Sequence, residues 1–120
     1  DPPYMKRQYA ANYHILETIA RGDFPDAIGK SGLRDWWDQH SKLCTKTKGL
    51  QSFEKIMYEM CCNKFLVSYS EDGLFSLNQL EACFSKFGDV TIQQIDYNRF
   101  KSNDSKLPAK LKEYLISVER

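Results

Sequence analysis

No stretch of this 120-residue chain approaches the ~18 consecutive apolar residues of a membrane-spanning helix. No basic-then-apolar leader opens it, and a membrane is not an expected partner. Charge of one sign is equally scarce. The formal net charge is +1, which gives no bulk electrostatic drive toward nucleic acid. Phosphate-cradling glycine loops are missing, because Gly29 and Gly32 flank Lys30-Ser31 without the P-loop spacing. Histidine is nearly absent. His40 and Cys44 lie four apart with Asp38 nearby, but no CxxC or HxxxH pattern supplies further zinc ligands. No third group completes a catalytic Cys–His pair either. His14 is expected to satisfy a local hydrogen bond. On these grounds no catalytic residue, metal ligand or cofactor is predicted, and the chain is not read as an enzyme.

Cysteine is sparse too. Cys44, Cys61, Cys62 and Cys83 all fall on predicted apolar helical faces. Adjacent Cys61 and Cys62 on a helix point in different directions and cannot readily bridge. Free thiols in a reducing compartment are expected, which implies an intracellular protein, cytoplasmic or nuclear. The acceptor pattern Asn103-Asp104-Ser105 would matter only in a secreted chain. Arg21-Gly22-Asp23 is read as a helix-exit turn rather than an integrin ligand. With 42% apolar and 28% charged residues, the composition is that of an ordinary globular domain. The opening Asp1-Pro2-Pro3, without methionine, suggests one domain over residues 1–120 excised from something longer.

What is present is helical periodicity. Phe53, Ile56, Met57, Met60, Cys61 and Phe65 follow an i, i+3, i+4, i+7, i+8 spacing, and Leu77, Leu80, Cys83, Phe84 and Phe87 repeat it. Between them Ser70-Glu71-Asp72-Gly73 is a turn signal, with glycine read as tolerating positive φ. Upstream, residues 4–20 read as a helix broken at Gly22, and Ser31 as the cap of another over Leu33–Cys44. Downstream, Thr91 is read as the cap of a short helix with Ile92, Ile95, Tyr97 and Phe100. Pro108 opens a last helix striped by Leu107, Leu111, Tyr114, Leu115 and Val118. The expected fold class is all-α, a compact bundle of five to six short helices.

The central hinge resembles an EF-hand. With Gly73 at the sixth loop position, Ser68, Ser70 and Asp72 take the first, third and fifth, Phe75 the eighth, Ser76 the ninth and Gln79 the twelfth. A second loop would centre on residues 100–105, so the resemblance covers about residues 53–116 and implies a degenerate pair of hands in the C-terminal half. Calcium wants several carboxylates and a closing glutamate. Only Asp72 and a neutral Gln79 are offered, so no functional calcium binding is expected.

The function expected from these features is a non-enzymatic protein–protein interaction module holding a partner's helix or short motif. Neighbours on a helix are about 100° apart, so either Trp36 or Trp37 is expected to face a partner. Met57 and Met60 suit an adaptable apolar groove, with plain core packing as the competing reading. The alternative is a small helix-turn-helix or winged-helix domain contacting RNA or DNA. GLFSLNQLEACFSKFG followed by IDYNRF resembles LOTUS-type domains of that class. Lys101, Lys106, Lys110 and Lys112 would then be the nucleic-acid contacts.

Overall fold

Residues 89–98 and 110–119 build strands where two helices were expected. The computed structural model describes residues 1–99 and 108–120. Lys101, Lys106, Leu107 and the proposed second hand at 100–105 lie outside the described residues. Three strands, β1 (Lys64–Ser70), β2 (Asp89–Asn98) and β3 (Lys110–Glu119), form an antiparallel sheet in the order β1-β3-β2. Four helices accompany it: α1 (Tyr9–Asn12), α2 (His14–Arg21), α3 (Gly49–Glu59) and α4 (Leu77–Phe84). The chain is an α/β mix, and the all-α expectation is overturned.

The register explains the misreading. Phe65, Val67 and Tyr69 on β1 pair with Val118, Ile116 and Tyr114 on β3, and Val90 and Ile92 on β2 pair with Val118 and Ile116. These alternate residues make one sheet face, and α3 and α4 cover it with Phe53, Met57, Leu80, Cys83 and Phe84. Central β3 also keeps Leu111 buried on its other face. A strand apolar on both faces reads as a near-continuous run, and Leu111, Tyr114, Leu115 and Val118 then mimic a helical stripe.

The residues of the expected EF-hand-like hinge have other tasks. Ser68 and Ser70 lie in β1, so no helix leads into the loop. Asp72 is held by Arg99 at 2.5 Å. Ser76 caps α4 in a reciprocal box with Gln79, the Ser-x-x-Gln arrangement that satisfies two orphan amides. The EF-hand reading is therefore wrong in its architecture. Gly73 does not adopt positive φ, which among the described residues is confined to Gly22, Gly29 and Gly32. It is needed for space: a Cβ there would stand 2.3 Å from the Tyr69 ring, itself 1% exposed. Gly73→Ala is expected to lower stability by about 1–3 kcal/mol, as overpacking does, measured as a drop in the urea midpoint at unchanged slope.

The N-terminal third is looser than its stripes suggest. The predicted helix over 4–20 becomes α1 and α2, neither with a buried residue. The predicted helix over Leu33–Cys44 becomes two single 3-10 turns, Trp37–Gln39 and Lys42–Cys44. Polar side chains break it: Asp35 accepts from the Trp37 amide at 3.2 Å and Ser41 from the Leu43 amide at 3.3 Å, local bonds that compete with a helix. Among the described residues no helix is long and apolar enough to cross a membrane.

All four cysteines are free thiols, but they are not alike. Cys44 and Cys83 are buried and Cys61 is exposed, outside any helix. Burial pushes the Cys83 thiol up to about 11, so it stays protonated at neutral pH, and the thiolate is the reactive form. A brief iodoacetamide pulse at pH 8 is expected to label Cys61 well before Cys83. Peptide mass spectrometry reads the order, and equal labelling would contradict the burial of α4.

Candidate active site

β1 and β2 both run antiparallel to β3, so their carboxyl ends meet at one end of the sheet beside the start of β3. Ligands of open α/β sheets gather at the carboxyl ends of strands. Residues 1–9 arch over that end. The Tyr4 carbonyl accepts from the Leu74 amide at 2.8 Å and from the Tyr69 hydroxyl at 3.4 Å. The Tyr4 ring meets Tyr69 edge-on at 6.2 Å and 72°, a favoured aromatic geometry. The segment Asp1-Pro2-Pro3-Tyr4 is thus fastened to the turn after β1.

Beneath the arch is a cleft of about 400 Å³ lined by Asp1, Tyr4, Tyr9, Ser68, Tyr97 and Glu113. It continues past Met5, Ser70, Asp72, Arg99 and Leu111. The Arg99–Asp72 pair ties the end of β2 to the turn after β1, and the Ser68 hydroxyl donates to Glu113 at 3.1 Å. Burial, with Tyr4 and Tyr13 nearby, pushes the Tyr9 hydroxyl up. Pro2 and Pro3 have no N–H, and a carboxylate only accepts. Asp1 and Glu113 line the cleft with carboxylate acceptors, and Tyr4, Tyr9 and Tyr97 line it with aromatic side chains. That combination suits a flat heteroaromatic ring bearing an amino group. Among the described residues no group of three His, Cys, Asp or Glu could hold a metal ion.

The residues singled out from sequence fall elsewhere. Trp36 and Trp37 stack on each other at 4.6 Å and 19°. Trp36 is half-buried and Trp37 is 70% exposed. Met57 is a core residue at 2% exposure. Met60, 51% exposed, lines a groove of about 500 Å³ with Asp1, Pro2, Leu43, Ile56 and Leu66. The structure does not bring the tryptophans into that groove. Lys110 and Lys112 are exposed at the start of β3, where the Lys112 amide donates to Glu71 at 2.7 Å. Of the cleft residues, Ser68 was assigned to an EF-hand-like loop and Tyr97 to a helix, and Asp1, Tyr4, Tyr9 and Glu113 were given no part in a site. The available signal was local: two prolines without N–H groups stand between a carboxylate and an aromatic ring.

Known proteins were compared with the chain. It is 34% identical to the Type II methyltransferase M.FokI of Planomicrobium okeanokoites over 100% of its own length and 19% of that protein's. It is 39% identical to M.NlaIII of Neisseria lactamica, over 86% of this chain and 30% of the relative. A third relative, M.CviAII of Paramecium bursaria Chlorella virus 1, is 33% identical over 98% of the chain and 35% of its own length. The chain thus spans about a fifth to a third of these relatives. No solved structure matches it significantly. These relatives are enzymes, so the expectations of an EF-hand relative, of a non-enzymatic interaction module and of a chain without enzymatic kin are corrected. The expected protein partner finds no support in these relatives. Residues 1–95 match D12 class N6 adenine-specific DNA methyltransferases, and the chain belongs to that family.

Proposed function

We propose that the protein methylates the N6 amino group of adenine in DNA and that the tyrosine cleft holds the target base. The observation that carries this is that Asp1 and Tyr4, the two ends of a segment fastened to the turn after β1, line one cleft at the carboxyl ends of β1 and β2. An enzyme that modifies a base takes it out of the stack and reads it by stacking and by hydrogen bonds to its edge. Tyr4, Tyr9 and Tyr97 supply the stacking walls. The N6 amine carries two donor hydrogens and a lone pair delocalised into the ring. The Asp1 carboxylate and a prolyl carbonyl accept those hydrogens, which draws the nitrogen toward tetrahedral geometry and localises the lone pair. The lone pair forms the nitrogen–carbon bond as the bond from the methyl carbon to its donor breaks. The Asp1 carboxylate stabilises the positive charge developing on nitrogen, and one N6 proton then passes to solvent water at the open mouth of the cleft.

The donor supplies only the methyl carbon in this account. No glycine lines the cleft, so the residues on view serve the base rather than the donor. Exposed Lys110 and Lys112, beside the cleft residues Leu111 and Glu113, serve as phosphate contacts. A DNA substrate also places the protein inside the cell. The test is to incubate the intact protein with plasmid DNA and a donor labelled in its methyl group, then digest to nucleosides. Label on N6-methyladenine is expected. Label confined to cytosine, or none on DNA, would overturn the proposal.

A further inference from the structure

A second cleft lies at the start of α3, away from the tyrosines. It measures about 310 Å³ and is lined by Lys42, Lys48, Gln51, Ser52 and Lys55, with no carboxylate among them. Lys42, Lys48 and neighbouring Lys46 make no ion pair among the described residues, and Lys55 reaches Glu59 only at 3.6 Å. The one acid between Lys42 and Lys55 is Glu54, already matched by Lys86 at 2.5 Å. The cations therefore stand as a local excess in a chain whose net charge is only +1.

The backbone adds to that charge. The first turn of α3 has no acidic residue, and Lys48 gives it no side-chain cap. The Leu50 and Gln51 amides make no backbone hydrogen bond among the described residues, so the helix start carries open donors and a positive dipole end. The position is rigid: a Cβ on Gly49 would stand 2.5 Å from the Phe75 ring, so α3 is seated directly on the core. The cleft is also tied to the active site. The Gln8 side chain donates to the Ser41 carbonyl at 3.0 Å and accepts from the Ser41 amide at 2.8 Å. Cys44 Sγ contacts the Arg7 carbonyl at 3.4 Å. Lys42 thus belongs to a strap bonded to the residue next to Tyr9, a wall of the base cleft.

We infer that Lys42, Lys48 and Lys55, with Gln51, Ser52 and the open amides of α3, form a cradle for a backbone phosphodiester of the DNA whose base enters the tyrosine cleft. The inference rests on the proposed function, since it takes DNA to be the substrate. Phosphate contacts set register without reading sequence, and each lysine acts as a point charge toward a phosphate oxygen. The cradle holds the strand while the cleft holds the base.

The test uses the intact protein, a short duplex that it methylates, and binding measured by fluorescence anisotropy across a range of potassium chloride. In the double variant Lys42→Gln/Lys48→Gln the slope of log affinity against log salt is expected to flatten by about two units, one per lysine. Affinity should weaken by the same factor on methylatable and unrelated duplexes. Lys86→Gln, whose charge is matched by Glu54, should leave the slope as it is, and melting curves report whether each variant folds. An unchanged slope in a folded double variant, with the parent protein binding and methylating DNA, overturns the cradle and leaves the proposed function standing. If the parent protein neither binds nor methylates DNA, the proposed function falls and the cradle falls with it. If inorganic phosphate raises the parent's melting temperature, the double variant loses that response and the DNA slope is unchanged, the cleft takes free anions only and the proposal is overturned.

Discussion

Replacing Asp1 by Ala is expected to cut methyl transfer about 10²–10³-fold, the usual cost of deleting one group aimed at charge that develops in a transition state. Asp1 is exposed at the mouth of the cleft and belongs to no core cluster, so the variant should fold and melt like the parent. DNA affinity should change little, because the carboxylate faces the amine and not the phosphates. Asp1→Asn should lose nearly as much. It keeps one acceptor oxygen but removes the negative charge and turns an N–H donor toward another donor. Tyr4 should separate from Asp1 in behaviour. Tyr4→Phe retains the stacking face, whereas Tyr4→Ala should weaken binding of DNA carrying an unpaired target adenine by about 1–3 kcal/mol. Rapid-quench turnover and anisotropy on the same variants measure both quantities. A kcat for Asp1→Ala within tenfold of the parent would remove the carboxylate from the reaction.

Replacing Phe84 by Ala is expected to destabilise the protein by about 3–5 kcal/mol, the range for emptying a fully buried aromatic site. Phe84 is 0% exposed and meets the Phe53 ring edge-on at 5.5 Å and 77°, joining α4 to α3. Its loss removes transfer free energy and leaves a cavity that rigid β3 cannot close, since Ile116 and Val118 are themselves 0% exposed. A loss of that size is a large fraction of a typical 5–15 kcal/mol total, so Phe84→Leu, which keeps most of the volume, provides a graded companion. Ile19→Ala is the contrast. Ile19 lies in the predicted helix over residues 4–20 yet is 70% exposed, and its loss should stay within about 0.5 kcal/mol. Urea midpoints for the three variants decide between the two packing accounts.

Both helices around the hinge were legible because their signals are local. Phe53, Leu80, Cys83 and Phe84 were read as core-facing and are buried, whereas Met57, offered as a partner contact with core packing as the competing reading, is buried as well. Ser76 and Gln79, three residues apart, start α4 by bonds between themselves. The same two residues also fit loop positions nine and twelve of an EF-hand, because one polar spacing serves both arrangements. The cleft was legible only in fragments. Tyr4, Tyr9 and Tyr13 fall within residues 4–20, which were read as one helix. Nothing in the chain order places Tyr97 and Glu113 opposite them.

Taken by itself, the sequence determined the helical segments α3 and α4, the residues that close them and the local cation excess between Lys42 and Lys55. Each depends on neighbours three to fourteen residues apart, a range over which spacing and capping chemistry act directly. Only the tertiary structure decided that residues 64–70, 89–98 and 110–119 are strands. Their partners are distant: Lys64 lies opposite Glu119, 55 residues on, and Tyr69 opposite Tyr114. A strand's hydrogen bonds are completed by another segment, so its own pattern is only half of its specification. That pairing sets the carboxyl ends of β1 and β2 side by side, and the cleft beneath Asp1 and Tyr4 exists because of it.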